Sequence, residues 1–156
     1  MSTNKFNLFF ENARILSDKL DIVPLLYGSL GLEYLTGDAL GADDIDILVP
    51  RAFITERWQK FKAVLETQGY VLTDAHEHTF VRDGVAYSYA DIEDLESFAG
   101  INTEDIELHE TDGVHFLLLS LEQYLAVYKQ SSKDGYRVNV RQKKDADKIR
   151  FIESKL

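Results

Sequence analysis

The segment of residues 22–49 constrains the fold more than any other part of this sequence. Residues 22–27 form an apolar run with the length of a buried strand, and Gly28-Ser29 directly after it predicts a tight turn into a helix over residues 30–35. The first turn of a helix presents unpaired backbone N–H groups, which suit a phosphate. The segment therefore predicts a strand, a turn and a helix, with a candidate phosphate site at the turn.

A second strand follows a polar loop and carries two carboxylates. Asp44 and Asp46 alternate here with apolar residues, namely Ile45, Ile47 and Val49. Because successive side chains of a strand point to opposite faces, both carboxylates lie on one face and the apolar residues on the other. Two carboxylates on one face can bind a hard cation such as Mg²⁺.

The rest of the chain predicts an α/β (α+β) fold, a mixed sheet flanked by helices. Apolar residues at helical spacing predict helices over residues 6–20, 55–68, 121–129 and 139–156, the third opened by a capping box at Ser120. Strands are predicted over residues 70–73, 79–82 and 85–92, with Asp83-Gly84 as a two-residue hairpin turn.

Composition predicts one domain over residues 1–156 in the cytoplasm. The chain has 45% hydrophobic residues, enough for a core at this length, and it contains no cysteine. Its first residues lack the apolar stretch of a signal peptide, and no apolar run approaches the roughly 20 residues of a membrane span. We therefore expect neither disulfides nor a membrane partner.

The net charge of −10 is unevenly distributed along the chain. Residues 83–128 contain 11 acidic and no basic residues, whereas residues 129–156 contain 9 basic and 4 acidic residues. Because polynucleotide binding normally needs a basic groove, nucleic acid is not expected as a partner. The acidic segment would suit a cationic small molecule and the basic end a triphosphate, unless both are ordinary solvated surfaces.

The stretch from Gly28-Ser29 to Asp44-Ile-Asp-Ile resembles the nucleotidyltransferases of the DNA polymerase β superfamily, most closely the small lincosamide and aminoglycoside nucleotidyltransferases. The resemblance implies transfer of a nucleoside monophosphate from a nucleoside triphosphate, with ATP as the expected donor, assisted by two Mg²⁺ ions. It implies that Asp44 and Asp46 are metal ligands and catalytic residues. A third carboxylate is expected on a following strand, where Asp91 is the best match and Glu93, two residues later, is the fallback.

In the same resemblance, Gly28 and Ser29 would bind the triphosphate. Many relatives have an Arg or Lys soon after the Gly-Ser pair, but residues 30–41 contain neither. Lys129, at the end of the predicted helix 121–129, is the expected replacement as a phosphate ligand. This departure keeps a second hypothesis open, in which the fold is catalytically degenerate and binds a nucleotide or a protein.

The acceptor implied by the resemblance is a hydroxyl or amine of a small molecule, either antibiotic-like or a metabolite. The acidic middle of the chain favours a cationic acceptor. Because small members of this family lack a separate helical substrate domain, a homodimer that completes the acceptor pocket is compatible with the resemblance.

Overall fold

The computed structural model describes residues 3–133 and 140–156, with side chains from residue 4 and, in the second range, from residue 144. Its helices are α1 (Thr3–Leu20), α2 (Gly28–Thr36), α3 (Trp58–Thr67), α4 (Asp94–Ala99), α5 (Leu121–Ser132) and α6 (Val140–Lys155). Its strands are β1 (Leu25–Tyr27), β2 (Ile45–Val49), β3 (Val71–Asp74), β4 (Thr79–Arg82), β5 (Val85–Asp91), β6 (Glu107–Thr111) and β7 (Val114–Leu118). Short 3-10 helices lie at Arg51–Ile54 and Thr103–Asp105.

The strands form one mixed sheet in the order β3-β4-β5-β2-β1-β7-β6. The pairs β2–β5 and β1–β7 are parallel, and the other neighbouring pairs are antiparallel. The short strand β1 lies between β2 and β7, so the Gly28 turn and the carboxylate strand are direct neighbours.

Helices cover both faces of the sheet, which confirms the predicted fold class. On one face, Ile45, Ile47 and Val49 pack with apolar residues of α1 and α3, including Phe9 and Phe61. On the other face, a second cluster joins the sheet to α4, α5 and α6 and contains Leu25, Leu48, Leu95, Tyr124 and Ile152. The carboxylate side of β2 therefore faces the layer formed by the C-terminal helices.

Most predicted elements are present, with shifted ends. The strand expected over residues 22–27 is shortened to Leu25–Tyr27, and the helix expected over residues 55–68 is Trp58–Thr67. The capping box at Ser120 is confirmed, but its helix continues past Lys129 to Ser132. The last helix agrees with the prediction from Val140 onward, and Asn139 lies outside the described residues.

The sequence analysis missed the hairpin formed by β6 and β7. Strand β6 is an exposed edge with charged residues, so it lacks the apolar pattern that predicts a strand. The turn did carry a signal: Asp112 and Gly113 both have positive φ, as do Asp83 and Gly84 in the hairpin turn that was predicted. An Asp-Gly pair with these dihedrals fits the type I′ turn of tight hairpins.

Among the described residues, no helix combines the length and apolar character needed to cross a membrane.

Candidate functional site

A cavity of about 830 Å³ opens on the face of the sheet that carries Asp46. One wall comes from the Gly28-Ser29 turn and the loop and strand that hold Asp44 and Asp46. The opposite wall comes from α5 and α6, and the end of β5 with α4 adds a third side. The cavity thus joins the two motifs that the sequence singled out.

Gly28 occupies a position that no other residue fits well. Its φ is +65°, in the left-handed region, and an added Cβ would lie 2.5 Å from Oδ2 of Asp46. Glycine lacks the Cβ that disfavours this conformation, so it permits both the turn and the close approach. The turn and the carboxylate are therefore in van der Waals contact.

Helix α2 begins at this turn, and its N-terminus has no side-chain cap. The side chain of the residue before it, Tyr27, makes no capping hydrogen bond, and the first turn of the helix lies beside the cavity. The partial positive charge of a helix N-terminus favours an anion at this place.

Tyr124 of α5 fixes the turn from the opposite wall. Its hydroxyl donates a hydrogen bond of 3.0 Å to the carbonyl oxygen of Gly28. Burial raises the pKa of Tyr124 well above its usual value, with smaller contributions from Tyr128, Tyr27 and Asp46, so the hydroxyl stays protonated and remains a donor. Gly31 permits this contact, because an added Cβ there would lie 2.1 Å from the Tyr124 oxygen.

Glu33 of α2 holds the loop that leads to the carboxylates. Its side chain is completely buried, and Oε2 accepts hydrogen bonds from the backbone N–H groups of Leu40 at 3.1 Å and Ala42 at 2.9 Å. A carboxylate that accepts backbone N–H groups makes charge-assisted hydrogen bonds, which are the stronger class. The position of Asp44 therefore depends on α2 as well as on β2, and the sequence analysis did not identify Glu33.

Asp91 lines the cavity, but it is tied to Arg51 rather than to the other two aspartates. Its Oδ2 accepts a hydrogen bond from the Nε of Arg51, and Oδ1 accepts one of 2.8 Å from the backbone N–H of Glu93. This hydrogen bond and the charge of Asp91 raise the pKa of Arg51. Asp91 is only 7% exposed, so the partner cation compensates a nearly buried charge.

The register of β2 and β5 explains why Asp91 stands apart from Asp46. Asp46 pairs with Ser88, whereas Asp91 pairs with Val49, three residues farther along both strands. The residue of β5 paired with Asp46 is therefore Ser88, whose hydroxyl hydrogen-bonds to that of Thr79 at 2.8 Å. Glu93, the fallback for the third carboxylate, lies outside the strand, because β5 ends at Asp91 and Glu93 precedes α4.

Asp44 and Asp46 fit a divalent cation by their chemistry and by their shared wall. Within residues 3–133 and 140–156, no three Asp, Glu, His or Cys side chains form a group that could hold a metal. All three expected ligands line the one cavity, and their role as metal ligands stays a prediction.

Lys129 does not have the position predicted for a phosphate ligand. The cavity side of α5 carries Tyr124, Val127, Tyr128 and Ser131, and Lys129 is exposed on another side of this helix. The lysines that do line the cavity, among the described side chains, are Lys144 and Lys148 of α6. They are four residues apart and so share one face of the helix.

No family model matches this sequence. The chain is 42% identical over 147 residues to the uncharacterized protein YnaI of Bacillus subtilis (strain 168), and the alignment covers 94% of each protein. The chain belongs to the YnaI family. This relationship identifies relatives along nearly the whole length but no activity.

Two solved structures of ANT(2'')-Ia resemble the fold. The crystal structure in complex with adenylyl-2''-tobramycin gives a TM-score of 0.59 at 14% identity and covers 98% of this chain and 90% of that one. A solution structure of the same antibiotic-resistance factor gives a TM-score of 0.55 at 14% identity, with 99% and 91% covered. This member of the YnaI family therefore has a nucleotidyltransferase-like fold, and function has to be argued from its own site.

Proposed function

We propose that the chain transfers a nucleoside monophosphate from a magnesium-bound nucleoside triphosphate to a hydroxyl or amine of a small molecule. The proposal rests chiefly on one observation. The glycine turn at the start of α2 and the carboxylate of Asp46 are in contact at the wall of a single cavity.

The triphosphate would lie along the turn and extend toward α6. The N–H groups at the start of α2 and the Ser29 hydroxyl are donors for phosphate oxygens at one side of the cavity. Lys144 and Lys148 on the other side would neutralise charge that the metal leaves uncompensated. These lysines take the role that the sequence analysis gave to Lys129.

The reaction exchanges one phosphorus–oxygen bond for a bond to the acceptor. The acceptor oxygen or nitrogen forms a bond to the α-phosphorus, and the bond to the oxygen bridging the α and β phosphates breaks, so pyrophosphate leaves with the bonding electrons. The acceptor proton passes to a site carboxylate, for which Asp91 stays the predicted group. Asp44 and Asp46 would hold Mg²⁺, which when bound supplies positive charge to the attacking and leaving oxygens.

The charges of the cavity favour a cationic acceptor. Its described lining contains six aspartates and two lysines, namely Asp43, Asp44, Asp46, Asp91, Asp94, Asp145, Lys144 and Lys148. A wall of one sign raises the local concentration of ligands of the opposite sign. The fold neighbour ANT(2'')-Ia binds adenylyl-2''-tobramycin, so ATP and tobramycin are reasonable first choices for donor and acceptor, with a lincosamide as the second acceptor.

A second candidate function is nucleotide binding without turnover. It is favoured by the ion pair between Asp91 and Arg51 and by Ser88 in the place beside Asp46. Two carboxylates and a phosphate-binding turn suffice to hold a metal-bound triphosphate, whereas transfer also needs a group to accept the proton.

The two functions separate in one experiment on wild type and the Asp46→Asn variant. Thermal unfolding is measured with each nucleoside triphosphate, with and without excess Mg²⁺, and pyrophosphate release is measured with tobramycin and with a lincosamide. A ligand at 100 times its dissociation constant adds roughly 2.7 kcal/mol, which is several degrees for a domain of this size. We expect a Mg²⁺-dependent shift that Asp46→Asn loses, together with pyrophosphate release.

Asp112→Asn is the matched control, because Asp112 lies in the β6–β7 turn, outside the residues that line the cavity. It should retain both the shift and the release. A Mg²⁺-dependent shift without pyrophosphate release would support the binding function instead. The absence of any shift in wild type would contradict both.

A further inference from the structure

Asp145 of α6 is a buried carboxylate in the cavity wall that the proposed reaction does not use. The residue is 3% exposed and lines the same cavity as Asp44 and Asp46. Within the described part of the chain, its Oδ2 has no hydrogen-bond partner. Most buried polar groups in folded proteins are hydrogen-bonded, so this oxygen needs an explanation.

Among the described residues, helix packing rather than an ion pair places this carboxylate. Asp145, Lys148 and Ile152 are spaced by three and four residues and share the inward face of α6, where Ile152 is completely buried. Among the described side chains, neither Lys144 nor Lys148 forms an ion pair with Asp145. One turn of α6 therefore presents the carboxylate of Asp145 to the cavity together with Lys144 and Lys148, neither of which is paired with it.

A neighbouring aspartate shows the contrast. Asp147 is exposed and forms an ion pair with Arg150 on the same helix. Asp145 has the more costly environment, because burial of an unpaired charge is unfavourable unless a donor or an opposite charge compensates it. A ligand in the cavity can supply both.

We propose that Asp145 is the binding site for a positively charged amino group of the ligand that occupies this cavity. An ammonium group would donate a hydrogen bond to the orphan oxygen and neutralise the buried charge at once. The other aspartates of the lining add to the attraction. That this ligand is the acceptor rests on the proposed function; that the site binds an amine does not.

The test uses spermidine, an amine without hydroxyl groups, and sorbitol, a neutral polyol, as probes in the absence of nucleotide. Thermal unfolding is measured for wild type, Asp145→Asn and the matched control Asp147→Asn. We expect spermidine to raise the Tm of wild type and of Asp147→Asn by several degrees, and to raise that of Asp145→Asn by at most a third as much. Sorbitol at the same concentration should shift all three proteins equally.

A second readout needs no ligand. Because Asn is isosteric with Asp and removes a buried unpaired charge, Asp145→Asn should unfold at the same temperature as wild type or at a higher one. A decrease of several degrees would show that the carboxylate has a structural partner and would overturn the proposal. An equal spermidine shift in Asp145→Asn and wild type would also overturn it.

Failure of the amine site can be distinguished from failure of the proposed nucleotidyl transfer. Asp46→Asn should lose the shift with magnesium and nucleoside triphosphate but retain a larger spermidine shift than Asp145→Asn. If wild type shows no shift with any triphosphate while its spermidine shift depends on Asp145, the amine site stands and nucleotidyl transfer does not.

Discussion

At the residue scale, Gly28 is required both for its left-handed φ and for the space that it leaves to Asp46. Two substitutions can separate these two effects. Gly28 and Gly37 both have a left-handed φ, but only Gly28 has a neighbour that an added Cβ would meet. Gly37→Ala should therefore lower the free energy of unfolding by about 1–2 kcal/mol, through the backbone conformation alone. Gly28→Ala should lose more, because Asp46 must also move.

Urea unfolding of both variants, with and without magnesium and ATP, measures this difference. Gly28→Ala should also lose the stabilisation by ligand that Gly37→Ala retains. Equal losses of stability in the two variants, with ligand stabilisation intact in both, would contradict the close contact described for the turn.

The strand that carries Asp46 could be predicted from sequence because the alternation of a strand is local, although β2 begins at Ile45 and Asp44 lies in the loop before it. The place of Asp91 could not. How far a carboxylate at the end of β5 lies from Asp46 depends on the register of β5 with β2, which one sequence does not show. Arg51, which binds Asp91, is 40 residues away from it in the sequence and belongs to no motif that the sequence analysis identified.

At the scale of elements, α6 is the helix that supplies positive charge to the cavity. Lys144→Ala and Lys148→Ala should each weaken binding of a magnesium-bound triphosphate, by about 1 kcal/mol or roughly fivefold for the half-buried Lys148, and less for the exposed Lys144. Lys129→Ala, on exposed α5 surface, is the matched control and should bind unchanged. Calorimetric titration of the three variants would decide between α6 and α5; weaker binding in Lys129→Ala alone would restore the sequence-based expectation.

Helix α5 shows why the sequence located the helix but not the side of it on which Lys129 lies. The capping box correctly located the start of the helix, but the residue that reaches the cavity depends on how the helix is rotated about its axis. The buried residues Tyr124 and Val127 fix that rotation through contacts with distant parts of the chain. Such contacts between elements are absent from a single sequence pattern, whereas capping is entirely local.

For the molecule as a whole, buried tyrosines predict loss of stability in alkaline solution. Burial raises the pKa of Tyr89 and Tyr124 well above the usual value, so between about pH 10 and the folded-state pKa the unfolded chain releases protons that the folded chain keeps. The free energy of unfolding should then decrease with pH, by up to about 1.4 kcal/mol per pH unit for each tyrosine.

Tyr124→Phe should remove the contribution of one tyrosine from this pH dependence. At neutral pH it should also lower the free energy of unfolding by about 1 kcal/mol, because the hydrogen bond to the carbonyl oxygen of Gly28 is lost. Urea unfolding of wild type and variant from pH 8 to pH 11 measures both effects. An identical slope in the two proteins would show that Tyr124 ionises normally in the folded state.

The central position of β1 also determines when the cavity can exist during synthesis. Leu25 of β1 pairs with Leu48 of β2, but on its other side it pairs with Leu117 of β7. A nascent chain emerges from the ribosome with its N-terminal part first, so the turn and the carboxylates are exposed to solvent before the strand that flanks them has been made. Pairing across such a separation is slow to form, and the helices that close the cavity follow still later. The turn and the carboxylates are therefore translated early, while a ligand that touches both walls, as the proposed triphosphate would, has to wait for the completed chain.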